Sequence, residues 1–330
     1  MSSPGPPLWT PPSAQRGDGF DVVGVGQVSF DHVCSAPALP RVGGKVRALE
    51  YARLPGGQVA TTLLACARLG LRAAFVGTVG DDAEGAAVLA PLRAGGVDLS
   101  SVRTRPGAPT QMAQIWIEQS SGERAIVWFR DPRLSLRPDE IPAEVIRSAR
   151  ALHLDAGDPA ASRAAARAAR EAGVPVVLDA DHPEPGVEAL LPEIDFPVVS
   201  REFAETFYET SKLEEALERM LAGGARMAVV TLGAAGALAR VGERLIRSPA
   251  YRVQARDTTG AGDAFRAGFV WGLLEGLDAE GVLRAAAAVA ALNCRALGAQ
   301  GGLPDRAGLL AFLARERPGP WTGPTGVGRS

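Results

Sequence analysis

ALHLDAGDPAASRAAARAAREAGVPVVL, residues 151–178, decides the fold class. It opens with one short apolar run, 151–154, and closes with another, 174–178. Between them, 159–172 is alanine-rich, and Arg163, Arg167 and Arg170 recur at helical spacing as the solvated face of a helix. A strand, a helix and a second strand in this order form a βαβ unit, with a right-handed crossover and parallel strands.

The same alternation runs outward in both directions. Upstream, 20–26 (FDVVGVG) reads as a buried strand ending in glycines, 60–69 as a helix, 73–79 as a strand and 84–94 as a helix. Downstream, 196–199 is a strand, 212–221 a helix, 227–231 a strand and 236–247 a hairpin, followed by two helices at 262–274 and 279–297. The expectation is an α/β protein with a mainly parallel sheet. Two segments break the rhythm. Residues 31–53 are short, partly polar pieces punctuated by Pro40, Gly43 and Gly44. Residues 111–130 (QMAQIWIEQSSGERAIVWFR) alternate apolar and polar side chains around Ser121-Gly122, the pattern of a hairpin with one exposed face. Together they predict a small β layer apart from the main sheet.

Composition narrows the function. A chain of 330 residues that is 46% hydrophobic can bury one large core, here 20–316, with Pro-, Gly- and Ser-rich ends at 1–19 and 317–330 expected as disordered tails. A net charge of −2 lacks the basic footprint of a nucleic-acid binder. No apolar run reaches the length of about 18 residues that a membrane span needs, and no signal-peptide pattern opens the chain, so a cytoplasmic protein without membrane partners is expected. Cys34, Cys66 and Cys294 are scattered, which fits reduced thiols rather than disulfides or zinc ligands. His32 and His153 read as structural.

Chemistry concentrates in RDTTGAGDAF, residues 256–265. A β region is expected before it, and an unbroken helical pattern (AFRAGFVWGLLEG) follows. Gly260-Ala261-Gly262 therefore sits at a helix N-terminus, where backbone N–H groups lack partners and the dipole is positive. That is an anion site built from backbone. Asp263 stands in the first turn. It is either an ordinary helix-start acid or a general base facing a phosphate cradle. The segment is not a Walker A motif, which needs Lys and then Ser or Thr after the last glycine.

DTTGAGDAFRAGF closely resembles the second signature of the ribokinase-like (PfkB-type) carbohydrate kinases. LPGGQVATTLLACARLG (54–70), VGTVGDDAEG (76–85), VVTLGAAG (229–236) and the closing segment from Ala290 to Pro304 resemble further family blocks, in the family's order. Lys45-Val46, Gly122-Glu123-Arg124 and Leu178-Asp179-Ala180-Asp181 resemble the branch holding ketohexokinase and sulfofructose kinase. The resemblance implies a three-layer α/β/α sandwich with a β-sheet lid, and transfer of a phosphoryl group from ATP, with Mg2+, to a hydroxyl of a sugar. It implies that Asp263 is the base and that Gly260, Ala261 and Gly262 form the anion hole. Asp31 would bind sugar hydroxyls at the hinge to the lid, beside Gly56, Gly57 and Thr61. Ser200, Thr231, Gly233, Gly236 and Asn293 would line the nucleotide. Asp257 and the Thr259 carbonyl would hold a monovalent cation, K+ in many members. Read without the resemblance, Asp31 also fits a strand-end turn residue, Asp257 a helix-entry cap and Thr231 an ordinary strand threonine.

Two blocks depart from the pattern. SREFAE (200–205) stands where many members carry Asn-x-x-Glu, leaving Glu202 or Glu205 to hold a magnesium-bound water. Gln58-Val59-Ala60-Thr61 replaces Gly-x-Asn after the Gly-Gly turn, so the sugar contacts differ there. A nucleoside kinase on the same scaffold and a non-catalytic sugar or nucleotide sensor are the alternatives. The 5% aromatic content favours a sugar over a nucleoside, and the intact Gly-Ala-Gly-Asp argues against a sensor. A dinucleotide fingerprint at Gly24-x-Gly26 fails because Ser29 replaces its third glycine. The exposed apolar positions of the small sheet must be covered by ligand or partner, so a homodimer through the lid is expected.

Overall fold

The computed structural model describes residues 6–9, 19–120 and 124–323, so the Ser121-Gly122 turn lies outside the described residues. In chain order the elements are β1 (Val22–Val25), β2 (Ser29–Ala36), β3 (Glu50–Gly56), α1 (Gln58–Arg68), β4 (Ala73–Gly80), α2 (Ala83–Ala94), β5 (Val102–Arg105), β6 (Met112–Glu118), β7 (Arg124–Phe129), α3 (Ala143–Arg147) and β8 (Ala151–Asp155). Then follow α4 (Pro159–Glu171), β9 (Val176–Ala180), β10 (Phe196–Ser200), α5 (Arg201–Phe207), α6 (Leu213–Ala222), β11 (Ala228–Thr231), β12 (Ala237–Val241), β13 (Arg244–Ser248), α7 (Ala261–Leu274), α8 (Ala279–Asn293) and α9 (Arg306–Arg315).

Strands that are apolar on both faces become central. Every residue of β1, β4, β8 and β9 is buried. They belong to a nine-stranded sheet ordered β13-β12-β11-β10-β9-β8-β1-β4-β5, parallel from β5 to β11 and antiparallel at β12 and β13. Helices α1, α2, α7, α8 and α9 pack on one face and α3 to α6 on the other, giving two apolar clusters and three layers. Hence the expected three-layer sandwich is the observed fold.

Several boundaries differ from the sequence reading. The strand expected at 174–178 starts two residues later, at Val176, after Pro175, which has no N–H for the ladder. The closing helix stops at Asn293 rather than 297, where the Cys294 carbonyl accepts from the N–H of Arg256 at 2.8 Å. The β region expected before the 256–265 motif is β12 and β13, and the stretch between Ser248 and the motif, 249–255, is irregular. Among the short elements, β5, α3, α5 and α9 carry no period long enough to announce themselves. Within the segments expected as tails, the Leu8 N–H donates to the Leu277 carbonyl at 2.9 Å, the Arg226 guanidinium lies 4.6 Å from the Trp9 ring centroid, and Trp321 packs against the α3–α6 layer.

The second sheet, β3-β2-β6-β7, is the expected small layer. Strand β2 runs antiparallel to β3 and parallel to β6, and β6 runs antiparallel to β7. Register separates its two faces. Asp31, Val33, Leu54, Ala113, Ile115, Ile117, Arg124, Ile126 and Trp128 share the face turned to the main body. His32, Cys34, Tyr51, Trp116, Val127 and Phe129 share the outer face. Two polar contacts tie the inner face down: Arg124 Nη1 donates to Thr258 Oγ1 at 3.0 Å, and Arg256 Nη2 donates to Glu50 Oε1 at 2.9 Å. Among the described residues, no helix is long and apolar enough to cross a membrane.

Candidate active site

Strand order reverses at β1, with β4 on one side and β8 on the other. In an open parallel sheet the crevice at the carboxyl ends of strands flanking such a switch is where ligands sit. The chain places β2, the root of the lid, directly beyond the end of β1. The neighbouring strands deliver Asp155 (β8), Asp179 and then Asp181 (β9), Ser200 (β10) and Thr231 (β11) to the same edge.

The glycine turn is shaped for an anion. Gly260 has φ 73°, and a Cβ there would fall 2.6 Å from the Ala299 backbone, so no other residue fits. The Ala261 N–H donates to the Thr258 carbonyl at 3.2 Å. The next two N–H groups, of Gly262 and Asp263, belong to the first helical turn and have no intrahelical acceptor. Asp263 is 8% exposed and its carboxylate has no partner side chain among the described residues. Burial pushes this carboxyl up to about 7; the Arg266 guanidinium opposes that rise, while the charges of Asp181 and Asp31 add to it.

Asp31 comes from the lid hinge, opposite Leu54 in the ladder, and is 4% exposed. Burial raises its carboxyl to about 6, against a 2.6 Å hydrogen bond from Ser29 Oγ. A Cβ on Gly56 would lie 2.0 Å from Asp31 Oδ2, and one on Gly57, at φ 95°, would meet Val28 Cα at 2.4 Å. Gly56 is therefore required for the hinge to pass the carboxylate, and Gly57 for it to pass the backbone of Val28 and Ser29. Thr61, the first turn's next polar group, is fully buried and accepts from Gln300 Nε2 at 3.4 Å. Asp155 holds the crevice floor, accepting from the N–H groups of Gln27 (2.7 Å) and Gly157 (2.9 Å). Gln27 in turn accepts from Gln111 Nε2 at 2.7 Å.

Among the residues expected at the nucleotide, Ser200 and Thr231 are register partners. Ser200 Oγ caps α5, accepting from the Phe203 N–H at 2.9 Å, and donates to the Asp181 carbonyl at 2.8 Å. Gly233 and Gly236 flank a short 3-10 turn with φ 56° and 101°. Asn293 is not brought to that surface. It is fully buried, and its side chain bonds the carbonyls of Ala299 (2.9 Å) and Thr259 (3.4 Å) and the Gly302 N–H (3.2 Å). Asp257 is 1% exposed and clamps two loops, accepting from the N–H groups of Thr259 (2.8 Å) and Gly298 (2.7 Å). No ion pair reaches it among the described residues, and the buried Thr259 Oγ1 beside it lacks a partner. A buried carboxylate next to an orphaned hydroxyl fits a small cation. Glu202 pairs with His182 at 3.3 Å, and Glu205 lies half-buried one turn further along α5. Among the described residues no group of three or more His, Cys, Asp or Glu could hold a metal unaided.

One cluster escapes the sequence reading. Arg266, 1% exposed, lies three residues beyond Asp263 on α7, and Gln58 opens α1 just past the Gly-Gly turn. Arg266 Nη2 and Gln58 Nε2 each reach both Asp179 and Asp181, at 2.9–3.2 Å. The available signal was a lone cation inside an otherwise apolar helical run. His153, on β8, is completely buried with neither ring nitrogen bonded; burial, and next the charge of Arg266, push its pKa down to about 3, so it is a neutral core residue.

Residues 20–306 match the family model described as pfkB family carbohydrate kinase. The chain is 32% identical over 322 residues to a ribokinase of Arabidopsis thaliana, covering 92% of this chain and 83% of that one. It is 28% identical over 290 residues to a nucleoside kinase of Methanothermobacter thermautotrophicus, covering 86% and 93%. A structure of Arabidopsis thaliana ribokinase complexed with ribose and ATP superposes with a TM-score of 0.74 at 29% identity, covering 89% of this chain and 99% of that one.

Proposed function

From the premise that the chain belongs to the pfkB family of carbohydrate kinases, we propose that it phosphorylates a hydroxyl of a sugar, a primary one, at the expense of ATP. The observation that carries this reading is the placement of Asp263, a buried carboxylate without a partner side chain among the described residues, in the helix turn where the N–H groups of Gly262 and Asp263 have no intrahelical acceptor. Asp263 takes the proton of the attacking hydroxyl as its oxygen bonds to the γ-phosphorus in line and the bond to the β-phosphate oxygen breaks. Charge developing on the transferred group faces the N–H groups at the positive end of α7. Asp31 and the Gly56-Gly57 turn orient the sugar; Ser200, Thr231 and the Gly233–Gly236 turn take the nucleotide. A Mg2+ bound with the nucleotide would neutralise phosphate charge. The Ser200 hydroxyl is already used twice, so Glu205 would hold a water of that ion. Asp257, with the Thr259 carbonyl, would hold K+.

A second reading has specific support. Ile126 and Trp128 lie on the lid face that overhangs the site, and they stay 44% and 58% exposed. Such an apolar ceiling suits the base of a nucleoside as well as the carbon face of a sugar. The outer face, with Tyr51, Trp116, Val127 and Phe129 exposed, suits a second copy of the chain.

ADP release, coupled to a reporter and measured across ketohexoses, pentoses, sugar phosphates and nucleosides, tests the proposal. Turnover with one acceptor class that Asp263→Asn abolishes supports it. Silence with every acceptor, or a fully active Asp263→Asn enzyme, overturns it.

A further inference from the structure

Arg266 heads the fully buried side chains ranked by volume. Burying a guanidinium is costly unless charge and hydrogen bonds compensate. Here they do: Nε and Nη2 donate to the Val198 carbonyl at 3.0 and 2.9 Å, and Nη2 meets Asp179 Oδ1 at 2.9 Å and Asp181 Oδ1 at 3.2 Å. Its remaining nitrogen, Nη1, is aimed at the anion turn. A Cβ on Gly262 would fall 2.4 Å from Nη1. Gly262 does not have a positive φ, so the guanidinium, not the backbone, excludes a side chain there.

We propose that Arg266 is a positioning residue for the phosphoryl transfer. Lodged against the anion turn, it fixes Asp179 and Asp181 at the strand ends and supplies the permanent positive charge beside which Asp263 works as an anion. The inference rests on the reading of Asp263 as the base. Several charged groups face Asp263: Asp31 from β2, Asp179 and Asp181 from the end of β9, Arg124 from β7 and Arg266 from its own helix. Asp155 acts on the cluster through Asp179. Two of these carboxylates, Asp179 and Asp181, contact one fixed internal cation, Arg266, and the other cation, Arg124, is on the exposed lid edge. A cation packed within a turn of a carboxylate lowers its pKa, and a nearby anion raises it.

This predicts opposite movements of the acid limb of kcat/KM against pH, which reports the free enzyme's base. Arg266→Met should move the limb up by about one pH unit or more, so its deficit is widest near pH 6 and shrinks as pH rises. Arg266→Lys, which keeps the charge, should leave the limb in place. Asp181→Asn should move it down. An Arg266 residue that only rivets the core would lower the rate by one factor at every pH, and that result for Arg266→Met overturns the proposal. Should Arg266→Met fail to fold, Arg266→Gln, which keeps a donor for the Val198 carbonyl but not the charge, is read in its place: a limb that moves up supports the proposal and one that does not move overturns it. Asp263→Asn run in parallel separates the two claims. An active Asp263→Asn enzyme sinks the base assignment; an inactive one with unmoved limbs sinks only the role of Arg266.

Discussion

Trp116 and Trp128 stand on neighbouring strands of one sheet and face opposite sides of it, Trp116 paired with Ala125 and Trp128 with Ala113. Ala113 shares its face with Asp31, so Trp128 overhangs the site while Trp116 looks outward. Apolar alternation in 111–130 does not tell these two tryptophans apart; register puts them on opposite faces.

Trp128→Glu should raise KM for the acceptor by about tenfold or more and leave kcat within a few-fold, since the ring covers the acceptor and not the phosphates. Steady-state kinetics with the acceptor varied decides it. An unchanged KM would remove Trp128 from the site.

Trp116→Glu should weaken self-association without changing KM. A charge placed in the centre of an apolar contact is left without a partner. Light scattering across a concentration series reads the result. A wild-type chain that is monomeric at working concentrations would refute the lid-to-lid dimer.

Asp263→Asn should lower kcat about 10²- to 10⁴-fold, the usual loss for a general base. It should also raise the melting temperature at pH 8. Burial raises the native carboxyl to about 7, so its contribution to stability is complete below the unfolded value of 3.8 and is lost as pH rises through 7. Asp31, raised to about 6, adds a loss with the same sign. The stability gained by Asp263→Asn should therefore be smaller at pH 5 than at pH 8 and vanish only below about 3.8. Thermal scans at the two pH values check it, and equal melting temperatures at pH 8 would contradict the buried-charge account.

Activity should be higher in K+ than in Na+ or a large organic cation, and Asp257→Asn should remove the difference. The buried Asp257 carboxylate, near the orphaned Thr259 hydroxyl, is the motivation. Rates that match in all three salts for the wild type would rule the site out.

The βαβ frame was legible because its strands are apolar on both faces and its long helices keep a clear period; β8, α4 and β9 lie within two residues of their expected bounds. The anion turn was legible too, because Gly260 has the positive φ that favours glycine and Gly262 lies against Arg266 on the same helix, requirements that a motif can record. What stayed hidden depends on partners distant in sequence. Asn293, expected at the nucleotide, is instead turned toward Thr259 and Ala299. Arg266 meets Asp179 and Asp181 more than eighty residues away, and nothing in its local sequence names those partners. Short elements such as β5 and α5 are set by tertiary packing rather than by periodicity.

The clamp made by Asp257 joins the turn before α7 to Gly298, and the backbone of Ala299 sits against Gly260. Asp31 meanwhile enters the same pocket from near the beginning of the chain. The catalytic centre therefore draws on both ends of the polypeptide. A growing chain on the ribosome that has already finished the entire parallel sheet still lacks the wall against which its anion turn is moulded. Phosphoryl transfer cannot begin until the segment through Gly302 has emerged and docked, so a chain cut off just after α8 should be inert even if its sheet is intact.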